Sequence, residues 1–179
     1  MSTRRTILRG LVAAALFGLL LEGAQALAAT VGQKLSNVQI NDANAKPAYI
    51  PDIGKKVVTI FYSDPDVSDQ NDPFADKLKA AGLDKSKYRG VGIANLKDTW
   101  LPDSVILSIV RKKIEKYDAT ILTDPNYLLR DAWALGDCNE KSVVLILDKT
   151  ATLRYIKKGA MTAAEIESGY QLVLKLMEE

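Results

Sequence analysis

The segment TIFYSDPDVSDQNDPF, Thr59 to Phe74, places acidic side chains between an apolar run and a proline-marked helix start. Oxygen atoms at alternating positions suit a hard cation such as calcium, and the candidates are Asp64, Asp66, Ser68, Asp69 and Asp72. The EF-hand pattern is incomplete, because Asp69 replaces the turn glycine and Ala75 the bidentate glutamate. The same residue types favour turns and helix caps. We therefore favour cap chemistry and predict neither a metal site nor a cofactor.

Cys138 is the only cysteine, and the chain has no histidine. This composition excludes an intramolecular disulfide, a Ser-His-Asp triad, a Cys-His pair and a histidine-ligated metal. Negative charge on Asp137 and Glu140 raises the pKa of a neighbouring thiol, and Lys141 offsets this slightly. We favour a structural free cysteine, and the alternative is a one-cysteine redox site at Cys138.

The N-terminus has the three parts of an export signal. A basic start is followed by the apolar run Leu11 to Leu21 and by the small-residue stretch AQALAA. The run is shorter than the roughly 20 residues that span a bilayer as a helix. We predict a signal over residues 1–28, cleavage after Ala28, one mature domain over 29–179 and no membrane span in the mature protein.

The export route has two readings. TRRTILR, Thr3 to Arg9, resembles the twin-arginine signal that carries folded proteins. An ordinary Sec signal with two adjacent arginines is the alternative, because the apolar run is quite hydrophobic. Both readings place the mature protein outside the cytoplasm.

The mature chain has no net charge. Removing residues 1–28 takes away three Arg and one Glu, which reduces the totals from 24 basic and 22 acidic residues to 21 and 21. Nucleic-acid binding needs a concentrated positive surface. The sequence therefore predicts no nucleic-acid partner.

Short apolar runs separated by Gly, Pro and Asp predict alternating strands and helices. Pro73 suits a first helical position with Asp72 as N-cap, and Thr162 with Glu165 forms a capping box. Trp100 and Trp133 could line a groove, but we favour packing for both. Predicted strands are 37–41, 57–62, 90–95, 119–124, 142–147 and 152–157, and predicted helices are 73–81, 103–117, 126–135 and one after Thr162. This order predicts an α/β sandwich with a mixed central sheet flanked by helices, a C-terminal β-hairpin and a last helix.

The element order resembles the thioredoxin fold in its peroxiredoxin-like version, above all in the closing segment VVLILDKTATLRYIKKGAMTAAEI. More narrowly, the chain is similar to the YtfJ family of bacterial periplasmic proteins. The matching pieces are AAGLDKSKYRGVGIANLKD, RDAWALGDCNEKSVVLILDK and YIKKGAMTAAEI. The resemblance implies a thioredoxin-like fold and a periplasmic location, and it supplies no activity.

Within this resemblance, the redox positions are replaced. Thioredoxin-like reductases carry a C-x-x-C motif a few residues after the core strand, and the two cysteine positions fall on Asp66 and Asp69. The peroxiredoxin cysteine would fall near Gln70, and Ser142 stands where these folds carry a cis-proline. Because a thiolate is the nucleophile of this chemistry, both losses argue against disulfide exchange.

The sequence therefore predicts an exported binding or accessory module without a redox centre. Its recognition surface would lie at the vacated active-site end, with Asp66, Asp69 and Ser142 near Cys138. The partner would be an unknown periplasmic protein or a small ligand. The alternative is a weak thiol oxidoreductase or peroxidase that works through Cys138.

Overall fold

A computed structural model describes residues 28–179, so the predicted export signal lies outside the described residues except for Ala28. The described chain forms a mixed seven-stranded sheet with helices on both faces. The strands are β1 Gln39–Asn41, β2 Pro47–Tyr49, β3 Val57–Ser63, β4 Tyr88–Asn95, β5 Ile121–Asp124, β6 Ser142–Leu147 and β7 Leu153–Lys158. The helices are α1 Asp72–Ala80, α2 Asp103–Tyr117, α3 Leu128–Ala132 and α4 Ala163–Glu178.

The sheet order is β2-β1-β5-β4-β3-β6-β7. Strands β3, β4 and β5 run parallel, whereas β6 pairs with β3 in the antiparallel direction and forms a hairpin with β7. The central strand β3 is buried along nearly its whole length, which is why residues 57–62, VVTIFY, are an unbroken β-branched and aromatic run. The predicted mixed sheet, closing hairpin and last helix are all confirmed.

Helices cover the two faces of the sheet unequally. Helix α3 packs on one face, where Leu129 and Trp133 join the core around Tyr62. Helices α1 and α4 pack on the other face. Helix α2 packs beside β4 and β5, next to Ala94 and Ile121. Within residues 28–179, no helix combines the length and the apolar character needed to cross a bilayer.

The two tryptophans have different environments. Trp133 is buried, and its indole N–H donates to the Ser36 carbonyl at 2.8 Å, which confirms the packing prediction for this residue. Trp100 is 84% exposed, so the packing prediction is wrong there. The reason is position, because Trp100 lies in the loop between β4 and α2 and no described element covers it.

Helix α1 begins one residue earlier than the proline suggests. Asn71, and not Asp72, is the N-cap residue, and Pro73 takes the second helical position. The Asn71 side chain does not cap its own helix. Its amide instead donates to the Gly159 carbonyl at 3.2 Å and accepts from the Met161 N–H at 2.9 Å. These contacts join α1 to the segment after β7, and they explain why an asparagine takes the cap position.

Helix α4 begins at the predicted capping box. The Thr162 hydroxyl accepts from the Glu165 N–H, and the Glu165 carboxylate accepts from the Thr162 N–H at 2.8 Å and pairs with Lys157 at 2.6 Å. Lys157 and the Thr162 N–H lower the pKa of Glu165 to about 2. Ionised Glu165 therefore stabilises the start of α4 above its ordinary pKa of 4.5, and protonation removes this contribution as the pH falls toward 2.

We expect Glu165→Gln to reduce the acid sensitivity of the fold. Between pH 4.5 and 2 the free energy of unfolding should decline less steeply in the variant than in the wild type, because Gln cannot be protonated. Urea unfolding at several pH values measures this slope. Glu115→Gln, on the exposed part of α2, is the matched control and should retain the wild-type slope. Equal slopes in E165Q and wild type would contradict the assignment.

Candidate functional site

The loop after β3 is fastened to the loop that carries Cys138. Asp64 is buried, and its carboxylate accepts from the Asp66 N–H at 2.9 Å and from the Glu140 N–H at 2.8 Å. The Asp64 N–H in turn donates to the Lys141 carbonyl at 3.1 Å. Asp64 thus joins the two loops at the same end of the sheet.

Asp66 and Asp69, which the resemblance aligns with the two cysteine positions, are both exposed. Asp66 is the middle residue of a short 3-10 turn, Pro65–Val67, and its carboxylate accepts from the Thr99 hydroxyl at 3.2 Å. Neither side chain supplies a nucleophile. Among the described residues, no group of three or more His, Cys, Asp or Glu side chains is arranged to hold a metal ion.

Ser142, which the resemblance aligns with the cis-proline position, is closed off from solvent. Its N–H donates to the side-chain carbonyl of Gln70 at 2.9 Å, and the hydroxyls of Ser63 and Ser142 are 2.8 Å apart. Ser142 is only 1% exposed. The start of β6 is therefore sealed by the residues before α1, and Ser142 lies beneath the exposed loop and not on its surface.

Cys138 is buried within the protein core. It is only 1% exposed, lies in the same apolar cluster as Tyr62 and Leu135, and has its sulfur 3.4 Å from the Gly136 carbonyl oxygen. Burial raises the pKa of the thiol, and the nearby charge of Lys158 only partly opposes this effect. Both the position and the protonation state of this sulfur disfavour nucleophilic attack.

A buried polar network beneath this end of the sheet has no counterpart among the sequence-predicted sites. Asp124 is fully buried, and its carboxylate accepts from the Tyr62 hydroxyl at 3.1 Å and from the backbone N–H groups of Leu128 and Leu129 at 2.8 and 3.0 Å. Burial, and then the adjacent Asp124, raise the pKa of Tyr62. An Asp four residues before a helix was the available sequence signal, although that helix has only five residues.

A pocket of about 150 Å³ opens between α2 and the sheet, beside the loop after β3. The carboxyl ends of parallel strands commonly hold binding sites in α/β folds, and the ends of β3 and β4 form this floor. Ser63 at the end of β3, and Pro65 and Ser68 of the loop after it, contribute to the wall. The arrangement can hold an apolar group next to the loop that contains Asp66 and Asp69.

Residues 31–177 match a family model described as a bacterial protein of unknown function, YtfJ_HI0045. The chain belongs to the YtfJ family. It is 28% identical over 115 residues to the uncharacterized protein YtfJ of Escherichia coli (strain K12), a match that covers 62% of this chain and 60% of the relative. An uncharacterized protein of Haemophilus influenzae is 25% identical over 105 residues, covering 58% and 56% of the two chains. The matched region thus spans less than two thirds of each relative.

Solved structures establish the fold of this YtfJ-family chain. A candidate protein disulfide isomerase from Bacteroides thetaiotaomicron superposes with a TM-score of 0.65 and 17% identity, covering 84% of this chain and 91% of that chain. At this identity the likeness shows the fold alone. The chain has a thioredoxin-like fold, as the resemblance implied, with a single cysteine and therefore no intramolecular disulfide.

Proposed function

We propose that this YtfJ-family chain is an exported periplasmic protein that binds a partner protein or a small ligand and performs no thiol chemistry. One observation carries the proposal. The only sulfur nucleophile, Cys138, is buried with a raised pKa. The residues that the resemblance aligns with the two cysteine positions, Asp66 and Asp69, are exposed and carry no thiol. Export is inferred from the pattern of residues 1–28.

Disulfide exchange requires two steps that Cys138 is poorly placed to support. A thiolate must first attack a partner disulfide, and attack depends on access and on the thiolate fraction. A second thiol must then resolve the mixed disulfide, and the chain has no second cysteine. The same burial disfavours reaction with peroxide. A weak oxidoreductase or peroxidase at Cys138 is the second candidate, and it would require the loop around Cys138 to open.

The proposed recognition surface is the exposed part of the vacated active-site end. Asp66 and Asp69 face solvent there, and the apolar pocket beside them is walled by the same loop. Ser142 and Cys138 support this surface from below, because both are buried. Binding at this end would use the geometry that related folds use to present a thiol.

A Cys138→Ser variant tests whether thiol chemistry is absent. Wild type and C138S should both fail to reduce insulin disulfides or consume peroxide, and should capture the same periplasmic partner. Native Cys138 should resist maleimide and react quickly once guanidinium unfolds the chain.

An Asp66→Asn/Asp69→Asn double variant should lose capture, and Asp76→Asn on α1 is the exposed control. Export predicts that protein recovered from the periplasm begins at Ala29.

Insulin reduction by wild type that disappears in C138S would replace the binding function with the oxidoreductase alternative. Full capture by the D66N/D69N variant would remove these two residues from the recognition surface. An intact residue 1 in the exported fraction would contradict signal removal.

A further inference from the structure

The pocket beside α2 is lined almost entirely by apolar side chains, and it has room for one small group. Engineered cavities of about 150 Å³ with Leu, Ile and Phe walls bind benzene, so a pocket of this size suits a ring or a short branched chain. The principal apolar lining residues are Phe61, Ile93, Leu101, Ile106, Ile109 and Val110.

Apolar side chains also remain exposed around the pocket. Ile109, which lines it, is 44% exposed, and Trp100, next to the lining residue Leu101, is 84% exposed. These two are among the few large hydrophobic side chains left exposed in residues 28–179. A bound apolar group would remove part of this surface from water, which is favourable.

One charged side chain, Lys113, lines the pocket. Its ammonium donates to the Ser68 hydroxyl at 3.1 Å, across the gap between α2 and the loop after β3. Lys113 forms no ion pair with another described residue. Burial raises the pKa of Asp72, and the positive charge of Lys113 partly opposes this increase. The pocket therefore carries a cation whose direct partner is a neutral hydroxyl.

The positive charge of Lys113 favours a negatively charged ligand in the pocket. Asp66 and Asp69 are exposed and do not line the pocket, so water and salt screen their effect on a bound group. Lys113 would be in direct contact with the head group of a ligand. A charge-assisted hydrogen bond between them is stronger than a bond between neutral groups. A carboxylate is complementary to this site, and an ammonium group is not.

We propose that the pocket binds a small carboxylic acid whose apolar part is about the size of a benzene ring. The ring would lie against α2 and the ends of β3 and β4, and the carboxylate would accept hydrogen bonds from Lys113 and Ser68. This inference rests on the proposed function as a binding module, because it names the chemical class of one ligand.

Two probes of equal size and opposite charge test the proposal. Titration of the 15N-labelled full-length chain with 3-phenylpropionate should show saturable shifts at Ile109 and Ala94. The matched amine, 3-phenylpropan-1-amine, should bind about fivefold more weakly, which is the upper end of the range for a partly exposed ion pair. Lys113→Met should weaken the acid by about fivefold, and Ser68→Ala by about twofold. Lys112→Met, one residue away on α2 and outside the pocket lining, should leave the affinity unchanged.

Absence of saturable shifts, equal binding of acid and amine, or unchanged acid binding in K113M would each overturn the proposal. Ser68 is exposed, so S68A keeps the test valid if K113M is unstable. If the probe fails while C138S still captures its partner without thiol activity, only this inference is lost. Thiol activity that requires Cys138 would instead overturn the proposed function, whatever the probe does.

Discussion

Replacing Asp124 by alanine is expected to lower the free energy of unfolding by about 3 kcal/mol or more, since each unsatisfied buried polar group costs about 1–3 kcal/mol. Asp124 is fully buried and accepts from the Tyr62 hydroxyl and from two N–H groups at the start of α3, with a third, longer bond to the Arg130 N–H at 3.4 Å. Alanine removes the acceptor of all these donors and leaves a cavity beside the core strand.

Urea and thermal unfolding followed by circular dichroism measure this loss. In a domain of about 150 residues each kcal/mol shifts Tm by about 2–4 °C, so D124A should melt roughly 10 °C lower. Tyr62→Phe removes only one donor of the network and should cost about 1 kcal/mol. Asp131→Ala is the control on the same helix, because the Asp131 side chain is 64% exposed.

A D124A variant with wild-type stability would show that the network contributes nothing to folding. A loss in Y62F as large as that in D124A would place the main contribution in the tyrosine and not in the N–H groups of α3. Asp124 is the last residue of β5, so the experiment also tests whether one carboxylate sets the position of a helix too short to be stable by itself.

Helices and strands whose residues follow a regular apolar pattern were predicted correctly from the sequence. Helix α2, Asp103–Tyr117, and strand β6, Ser142–Leu147, have the bounds that apolar periodicity and β-branched content indicated. The capping box of Thr162 and Glu165 also forms as predicted, because its two partners are three residues apart. Strand β2, Pro47–Tyr49, was missed, since three residues beginning with proline carry almost no strand pattern.

The candidate site was predictable only in its placement. The resemblance to the thioredoxin fold predicted that the Asp66 loop and the Cys138 loop lie at one end of the sheet. In the structure, the Asp64 carboxylate joins the two loops there. Burial of Cys138 depends on side chains distant in the sequence, which no local pattern contains. The hydrogen bond that closes off Ser142 is made with Gln70, 72 positions away in the sequence. Trp100 is exposed because no described element packs over it. These are properties of packing, so they appear only with the fold.

Replacing Asp64 by alanine is expected to expose Cys138 as well as to destabilise the fold. Asp64 is the acceptor for the Glu140 N–H, and Glu140 has a left-handed backbone with φ of 52°. A non-glycine residue in this conformation costs roughly 1–2 kcal/mol, so it needs support from its surroundings. Without the carboxylate, two N–H groups lose their acceptor, and the loop can relax away from the sheet. We expect a loss of about 2 kcal/mol.

Maleimide labelling of native protein separates local opening from global unfolding. If labelling proceeds through opening of the 136–141 loop, a loss of about 2 kcal/mol in closing this loop raises the rate by about thirtyfold. D64A should show this acceleration in buffer, whereas Asp69→Ala, an exposed change in the same acidic loop, should label at the wild-type rate. An unchanged labelling rate in D64A, with its stability lowered, would mean that core packing around Cys138 and not the Asp64 contact keeps the sulfur buried. Acceleration together with new peroxide consumption would instead identify Asp64 as the residue that holds a latent thiol inactive.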